Sequence, residues 1–303
     1  MAQVGTIRSE GSQMPELPEV EGVVRSLAPV ASGRTISDVI VSETVIASKA
    51  AGKEAIVKGH SVDRFSAELA GYTIEAVTRR SKYIYFHLFK DDTCRLLVSH
   101  LGMTGAWFVV NAITEIREQK FRNHIHAIFH LEDGGLLVYS DIRRFGELRL
   151  LTCEQDHPPL TLMAPEPFDA DAEEFFIEKT KQDKYAKKPI KEVIMDGQII
   201  SGCGNIYATE ALFRMRIHPN RSAGRISRER KQQLFREIVT VLDESIQAGG
   251  SSISDYRNIN GEAGSMQNRL QMYGHKVCPR CGAETATIQI ANRTSTYCKK
   301  CQH

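Results

Sequence analysis

Long apolar runs are missing from this chain of 303 residues, and its overall charge is close to balance. No stretch approaches the roughly 20 apolar residues that a membrane helix needs. The first thirteen residues, MAQVGTIRSEGSQ, hold no apolar segment of signal-peptide length. A formal net charge of +2 points to no particular partner, so an argument for nucleic acid must come from local clusters. Seven cysteines is an odd number. Four form two C-x-x-C pairs, while Cys94, Cys153 and Cys203 are scattered. That pattern excludes a disulfide framework and fits a metal site in a reducing cytosol. No internal repeat is visible. What remains is a soluble globular composition, 42% hydrophobic and 25% charged, long enough for two domains with separate cores.

The chain is organised around Met14-Pro15-Glu16-Leu17-Pro18-Glu19-Val20-Glu21. Trimming at Met14 leaves Pro15 with a free secondary amine, a group that titrates near pH ~8. Such an amine attacks carbon at the aldehyde oxidation level and forms an iminium. Glu16, Glu19 and Glu21 lie within two helical turns and can move protons at the reacting centre. The same residues also read as a proline-led helix start with carboxylates near its positive end.

From Pro18 the pattern is helical: Val20, Val23, Val24 and Leu27 share a face and Pro29 follows the end. Strands are expected over 35–41, 72–77, 82–88, 95–99, 106–110, 124–131 and 136–139, with Asp133-Gly134-Gly135 as a hairpin turn. Residues 45–65 read as a long loop with a short helix near 62–69. The four prolines of 153–169 mark an interdomain linker that can serve as a hinge. Beyond it come helices over 171–179, 190–196 and 205–215, the last with Ile206, Leu212 and Met215 as one buried stripe. A fourth helix is capped by Ser227 and ended by Gly249-Gly250. The division is therefore a lead (1–13), a mostly antiparallel β-sandwich or flattened barrel with one N-terminal helix (14–152), the linker (153–169), a helical domain (170–263) and a cysteine-bearing tail (264–303).

The sharpest chemical signal is Cys278-x2-Cys281-x16-Cys298-x2-Cys301, two corners that place four thiolates tetrahedrally around one structural zinc. A ribbon hairpin follows, with Asn292-Arg293 at its tip and Arg293 placed for a phosphate. Gly202-Cys203-Gly204-Asn205 opens a helix. Its amides can approach an anion, and Asn205 can cap the helix or reach a phosphate; a tight interhelical turn reads equally well. Arg79-Arg80-Ser81-Lys82 and Asp141-Ile142-Arg143-Arg144-Phe145-Gly146 are basic turns that can meet phosphates, or ordinary charged turns. Phe145 beside Arg143 has the composition of a base-stack wedge, and Met103 in His100-Leu101-Gly102-Met103-Thr104-Gly105 is another apolar tip. His124, His126 and His130 are read on one strand face, without the partners that a second metal site requires.

Read jointly, PELPEVE, RRSKY, HLGMTG, DIRRFG, GCGNIYATEALF with IHPNRS, QMYG and the ribbon resemble formamidopyrimidine-DNA glycosylase, the bacterial Fpg family of base-excision repair enzymes. The likeness runs from Met14 to Gln302. It implies an α+β multidomain fold: a β-sandwich lobe, a helix–two-turns–helix lobe and a zinc finger, with damaged double-stranded DNA held between the lobes of a monomer. It implies Pro15 as the nucleophile at C1′, Glu16 as proton donor at the sugar and Glu19 as a supporting carboxylate. Lys82 would meet the lesion phosphate, and Asn205 and Arg293 would clamp the flanking phosphates. Met103, Arg143 and Phe145 would fill the vacated space, with His100 and Arg144 in the same DNA-facing loops. The implied reaction is release of 8-oxoguanine or formamidopyrimidines, then β,δ-elimination through the Pro15 iminium. PELPEVE and HLGMTG side with this branch rather than with the related endonuclease VIII enzymes, and the lesion-covering loop is expected within 249–264.

Two features depart from the family pattern. The thirteen leading residues block Pro15 unless translation starts at Met14 or the lead is removed. If they stay, a catalytically silent lesion-binding protein is the alternative. Cys203 stands where the family carries an apolar residue. The stretch 45–63 also matches poorly.

Overall fold

The computed structural model describes residues 14–251 and 264–303. The lead and most of the expected lesion-covering loop lie outside these residues. One helix, Leu17–Ala31, explains where the two lobes meet. Val20, Val23, Val24 and Leu27 enter the core of the sandwich, while Leu17 enters the core of the helical lobe beside Ile200, Ile206 and Tyr207. Both lobes therefore grip the same helix, and its first turn is fixed at their seam. The helix does not stop before Pro29 but runs two residues further. A proline in the last turn removes one ladder bond near solvent, where Val30 is exposed, and the helix tolerates it.

The sandwich has nine strands among the described residues: β1 (Ile36–Val41), β2 (Ile56–Lys58), β3 (Thr73–Arg80), β4 (Tyr83–Lys90), β5 (Thr93–His100), β6 (Gly105–Val110), β7 (Ile125–Leu131), β8 (Leu136–Asp141) and β9 (Glu147–Leu151). One sheet runs β1-β7-β8-β6 and the other β2-β9-β5-β4-β3. Only β2 and β9 pair in parallel. The single tryptophan, Trp107, sits between the sheets with its ring centre 4.9 Å from Phe86, 5.6 Å from Phe129 and 5.0 Å from Tyr139. Its indole N–H donates to Ser99 Oγ at 3.0 Å, so the polar handle is buried at no cost in unmet hydrogen bonds.

Several sequence expectations need correction. Residues 45–65 are not a long loop: they hold most of a helix, Glu43–Ala50, then β2 and the start of the helix Val62–Leu69. Only Val45 of the first helix is buried, too little apolar periodicity to see in the sequence. Strand β9 is implied by the sequence only as the strand after the Asp141–Gly146 turn, without bounds. The three histidines do not share a face, because a β-bulge falls at His126. His126 is buried, with Nδ1 3.0 Å from Ser42 Oγ and Nε2 3.0 Å from Asp141 O, which leaves neither nitrogen for a metal.

The proline-rich linker is strapped down rather than loose. Leu160, in its short helix Pro158–Thr161, packs on Tyr85, Leu96 and Val98. Glu166 accepts from Ser81 N at 2.6 Å and pairs with Arg79 at 2.6 Å and Arg80 at 3.1 Å. Arg79 and Arg80 thus tie sandwich to linker.

In the helical lobe, the helix Asn205–Arg214 is buried from Ile206 through Phe213, not along one stripe. It lies against both the long helix Arg228–Gln247 and the ribbon. Ser227 Oγ caps the long helix through Arg230 N, as its sequence position suggests. The ribbon strands are β10 (Ala286–Ile290) and β11 (Arg293–Tyr297). Its tip is Ala291-Asn292, both with positive φ as a two-residue primed turn requires, so Arg293 opens the return strand instead of forming the tip.

Candidate active site

The seam gathers residues from both lobes around Glu16. Its carboxylate is buried and accepts from Gly204 N at 2.9 Å and Ile206 N at 3.0 Å, the open amides at the start of the helix Asn205–Arg214. Gly202 and Gly204 permit this approach. A Cβ at Gly204 would stand 2.3 Å from the Glu16 carboxyl carbon, and one at Gly202 would stand 2.6 Å from the Leu17 side chain. Burial raises the pKa of Glu16, and the charge of Lys82 and the two amides oppose that rise. Pro15, immediately before it, is buried as well.

Glu19 completes the first turn. One oxygen accepts from Glu16 N at 3.0 Å, and the other accepts from Tyr207 Oη at 2.5 Å and Ser251 N at 2.6 Å. Tyr207 Oη lies 2.6 Å from Ser245 Oγ on the long helix. Burial and the neighbouring Glu16 push the Glu19 carboxyl up to about 7. Two adjacent carboxyl groups with raised pKa values at a domain seam can store and deliver protons.

Lys82 sits in the two-residue turn between β3 and β4, beside Glu16. It lines an interlobe cavity of about 490 Å³ with Tyr83 and His100 of the sandwich, Met163 of the linker, and Gly202 and Cys203 of the helical lobe. Cys203 is buried, and burial raises its thiol pKa, so it behaves as a small neutral filler. His100 is not a cationic contact. Burial lowers its pKa to about 4, and Nδ1 accepts from Gly102 N at 3.1 Å. It braces the HLGMTG loop.

That loop and DIRRFG form one unit. A Cβ at Gly102 would be 2.5 Å from Phe145 C and Gly146 N. The buried Asp141 holds both loops: it accepts from Thr104 Oγ1 at 2.6 Å, Arg143 N at 3.2 Å and Gly146 N at 2.8 Å. From this base Arg143, Arg144 and Phe145 project outward, with Phe145 59% exposed and the Arg143 guanidinium 4.9 Å from its ring. Met103 is half-buried beside them.

The ribbon is docked on the same helix that holds Glu16. Glu210 is buried and accepts from the backbone N–H groups of Gln271, Met272 and Tyr273 at 2.7–2.9 Å. Asn205 Nδ2 donates to Thr294 O at 3.3 Å, which places it next to Arg293 in β11, and its buried Oδ1 has no partner among the described residues. The four sulfurs of Cys278, Cys281, Cys298 and Cys301 lie within 4.8 Å of one another. Two of the separations are 3.9 Å and 3.5 Å. Tetrahedral ligands at about 2.3 Å from a zinc ion stand on the order of 3.8 Å apart, so the cluster fits that ion.

Sequence reasoning quoted the motifs that contain Tyr207, Asp141 and Glu210 without singling them out, and it missed Ser245 and Glu166. Tyr207, Asp141 and Glu210 carry a signal, a polar side chain in an apolar or glycine-bearing motif where burial demands a partner, whereas Glu166 between two prolines and Ser245 in a polar run carry none.

The two lobes closed on a Pro-Glu start, with a four-thiol ribbon docked alongside, define a multidomain class of DNA-lesion enzymes. Three family profiles match in order: formamidopyrimidine-DNA glycosylase N-terminal domain over residues 14–148, its H2TH domain over 163–257, and the zinc finger found in FPG and IleRS over 276–303. The chain is 38% identical to formamidopyrimidine-DNA glycosylase of Exiguobacterium sp., across 95% of this chain and 99% of that one. It is 39% identical to the Heliobacterium modesticaldum protein of the same name, across 95% and 100%. Lactococcus lactis Fpg bound to abasic-site DNA matches in structure with a TM-score of 0.78 and 33% identity, over 95% of this chain and 100% of that one. The MutM (Fpg) protein of Thermus thermophilus gives 0.78 and 32%, over 95% and 98%. The chain belongs to the formamidopyrimidine-DNA glycosylase family. Among the described residues no helix is long and apolar enough to cross a membrane.

Proposed function

We propose that this chain is a bifunctional DNA glycosylase/AP lyase that removes oxidised purines from double-stranded DNA and uses the Pro15 nitrogen as nucleophile. The observation that carries this reading is the hold on Glu16. A carboxyl group with a raised pKa is fixed by two amides of the opposite lobe, one residue from Pro15. The Pro15 amine adds to C1′ of an extruded damaged nucleotide while the protonated Glu16 supports opening of the sugar. The base leaves, and the nitrogen and C1′ form an iminium. The iminium acidifies the C2′ proton, which drives β- and then δ-elimination of the flanking phosphates. Glu19 fixes the Glu16 backbone and supplies a second proton store.

Lys82 meets the lesion phosphate, and Asn205 with Arg293 holds the neighbouring ones. Met103, Arg143 and Phe145 enter the gap in the stack, with Arg144 at their flank and His100 as brace. Extrusion costs a few kcal/mol, which a wedge and a phosphate clamp offset. Cys278, Cys281, Cys298 and Cys301 hold one Zn2+ that fixes the ribbon and hence Arg293. The DNA partners named for the Lactococcus lactis structures, Fapy-dG and abasic-site duplexes, support this substrate class.

The chemistry requires a free secondary amine at Pro15, so the residues before it must be absent from the active form. Borohydride trapping on a duplex carrying 8-oxoguanine tests this. A protein starting at Pro15 should give a covalent adduct, and the chain retaining residues 1–14 should give none. Failure of the Pro15-start form to trap would leave the silent lesion-binding reading in its place.

A further inference from the structure

His126 is buried at the foot of the DIRRFG loop. Strand β7 pairs with β8 at Ile125↔Ser140 and again at Ala127↔Tyr139, so His126 is the extra residue of a bulge. A bulge re-aims the side chain that it carries. Here the ring meets the end of β8: Nε2 lies 3.0 Å from Asp141 O, while Nδ1 lies 3.0 Å from Ser42 Oγ.

The partners fix where the protons sit. A carbonyl oxygen only accepts, so Nε2 carries the hydrogen. Burial lowers the pKa of His126; Asp141 opposes that fall, and Arg144 and His124 add to it. In the neutral ring Nδ1 is then an acceptor, and the Ser42 hydroxyl donates to it. The same hydroxyl oxygen accepts from Val45 N at 3.4 Å as the cap of the helix Glu43–Ala50, and Ser42 N donates to His126 O at 3.0 Å. Val45 belongs to the sandwich core, so the ring is braced from behind by a capped and anchored helix.

The carbonyl that His126 grips belongs to the residue on which both DNA-facing loops hang. The Asp141 carboxylate accepts from Thr104 Oγ1, Arg143 N and Gly146 N. The Asp141 N–H goes to His124 O at 3.0 Å, so both backbone groups of this residue are tied to the stretch around the bulge. Three residues on, Arg144 has φ of +58°, a left-handed conformation that a residue other than glycine keeps only when its surroundings hold it. A shift of the Asp141 peptide would carry the whole turn with it.

We propose that His126 is a positioning residue for DNA binding, which acts through the Asp141 carbonyl on the placement of Arg143, Arg144 and Phe145. This inference rests on the reading of those three residues as the wedge.

Two substitutions separate the ring nitrogens. Glutamine puts an amide nitrogen near the place of Nε2, and asparagine puts its amide near the place of Nδ1. His126→Gln therefore keeps a donor to Asp141 O, whereas His126→Asn keeps only a partner for Ser42. Lesion-duplex affinity, measured by fluorescence anisotropy, should fall roughly 3- to 10-fold in His126→Asn, about the worth of one hydrogen bond, and stay within about twofold of wild type in His126→Gln. Thermal unfolding checks that each variant is folded. His126→Met, which fills the space without a donor, takes the place of the asparagine form if that one does not fold, and should show the same loss. In a Phe145→Ala background the His126→Asn change should add little, because neighbours that act through one element are not additive. Wild-type affinity in the donor-free variants, an equal loss in His126→Gln, or a full additive loss on top of Phe145→Ala would overturn the proposal. If Phe145→Ala alone spares binding, the wedge reading itself fails and this inference falls with it.

Discussion

The seam and the wedge loops solve opposite problems with the same device. At the seam, Glu16 and Glu19 are buried and every acceptor contact comes from a fixed donor, several of them from the opposite lobe. In the wedge, Asp141 is equally buried and bonded, but the residues it supports point away from the protein. Arg143, Arg144 and Phe145 are exposed on a rigid root. The groups proposed to do chemistry are immobilised directly. The groups proposed to read or displace DNA are exposed at the tip and fixed at the base, an arrangement that would lower the ordering cost when DNA arrives.

This contrast can be broken from either side. The largest effect is expected from Glu16→Gln, which keeps the shape but removes the proton. Base release should fall about 10²- to 10⁴-fold, measured by single-turnover excision, with lesion-duplex affinity retained. Gly204→Ala comes next. Its Cβ would overlap the Glu16 carboxyl group, so excision should drop on the order of 10²-fold from misplacement alone. Normal activity in that variant would show that the amide clamp is dispensable.

On the wedge side, Asp141→Asn should cost about 1–3 kcal/mol in urea unfolding, because it turns an acceptor oxygen into a second donor facing the Thr104, Arg143 and Gly146 donors. Phe145→Ala should leave unfolding within about 0.5 kcal/mol of wild type while weakening lesion-duplex binding. If instead it lowered stability and spared binding, Phe145 would belong to the fold and not to the interface.

The smallest effect concerns pH. Glu19 keeps its proton up to about pH 7 in the fold, against 4.5 as its reference value. The folded state binds that proton more tightly, so its contribution to stability is complete below pH 4.5 and is lost as pH rises through 7. Glu19→Gln should therefore narrow the difference between urea midpoints measured at pH 5 and pH 8.

The legible parts of the sequence were those where one residue type has few uses. The proline after Met14 and the glycines flanking Cys203 gain meaning only when read together with the other motifs, whereas four cysteines at ribbon spacing restrict the structure strongly. The helix Val20–Leu27 and the cap at Ser227 were legible for the same reason, since periodicity and capping are local. What was not legible depends on distant partners. Arg79 and Arg80 read as either phosphate contacts or ordinary charged turn residues, and nothing in the sequence signals their pairing with Glu166. His100 reads only as part of a DNA-facing loop, and its burial and its bond from Gly102 N are not visible in the sequence. Strand β9 gains its place from β5 and β2 on either side, not from its own five residues.

The central claim is that one backbone nitrogen attacks the sugar. Peptide mapping of the borohydride-reduced protein–DNA adduct tests it most directly. The account predicts a cross-linked peptide whose N-terminal residue is Pro15, with the DNA on its nitrogen. A cross-link on a lysine such as Lys82, or turnover by protein whose residues 1–14 are shown intact by mass, would contradict it.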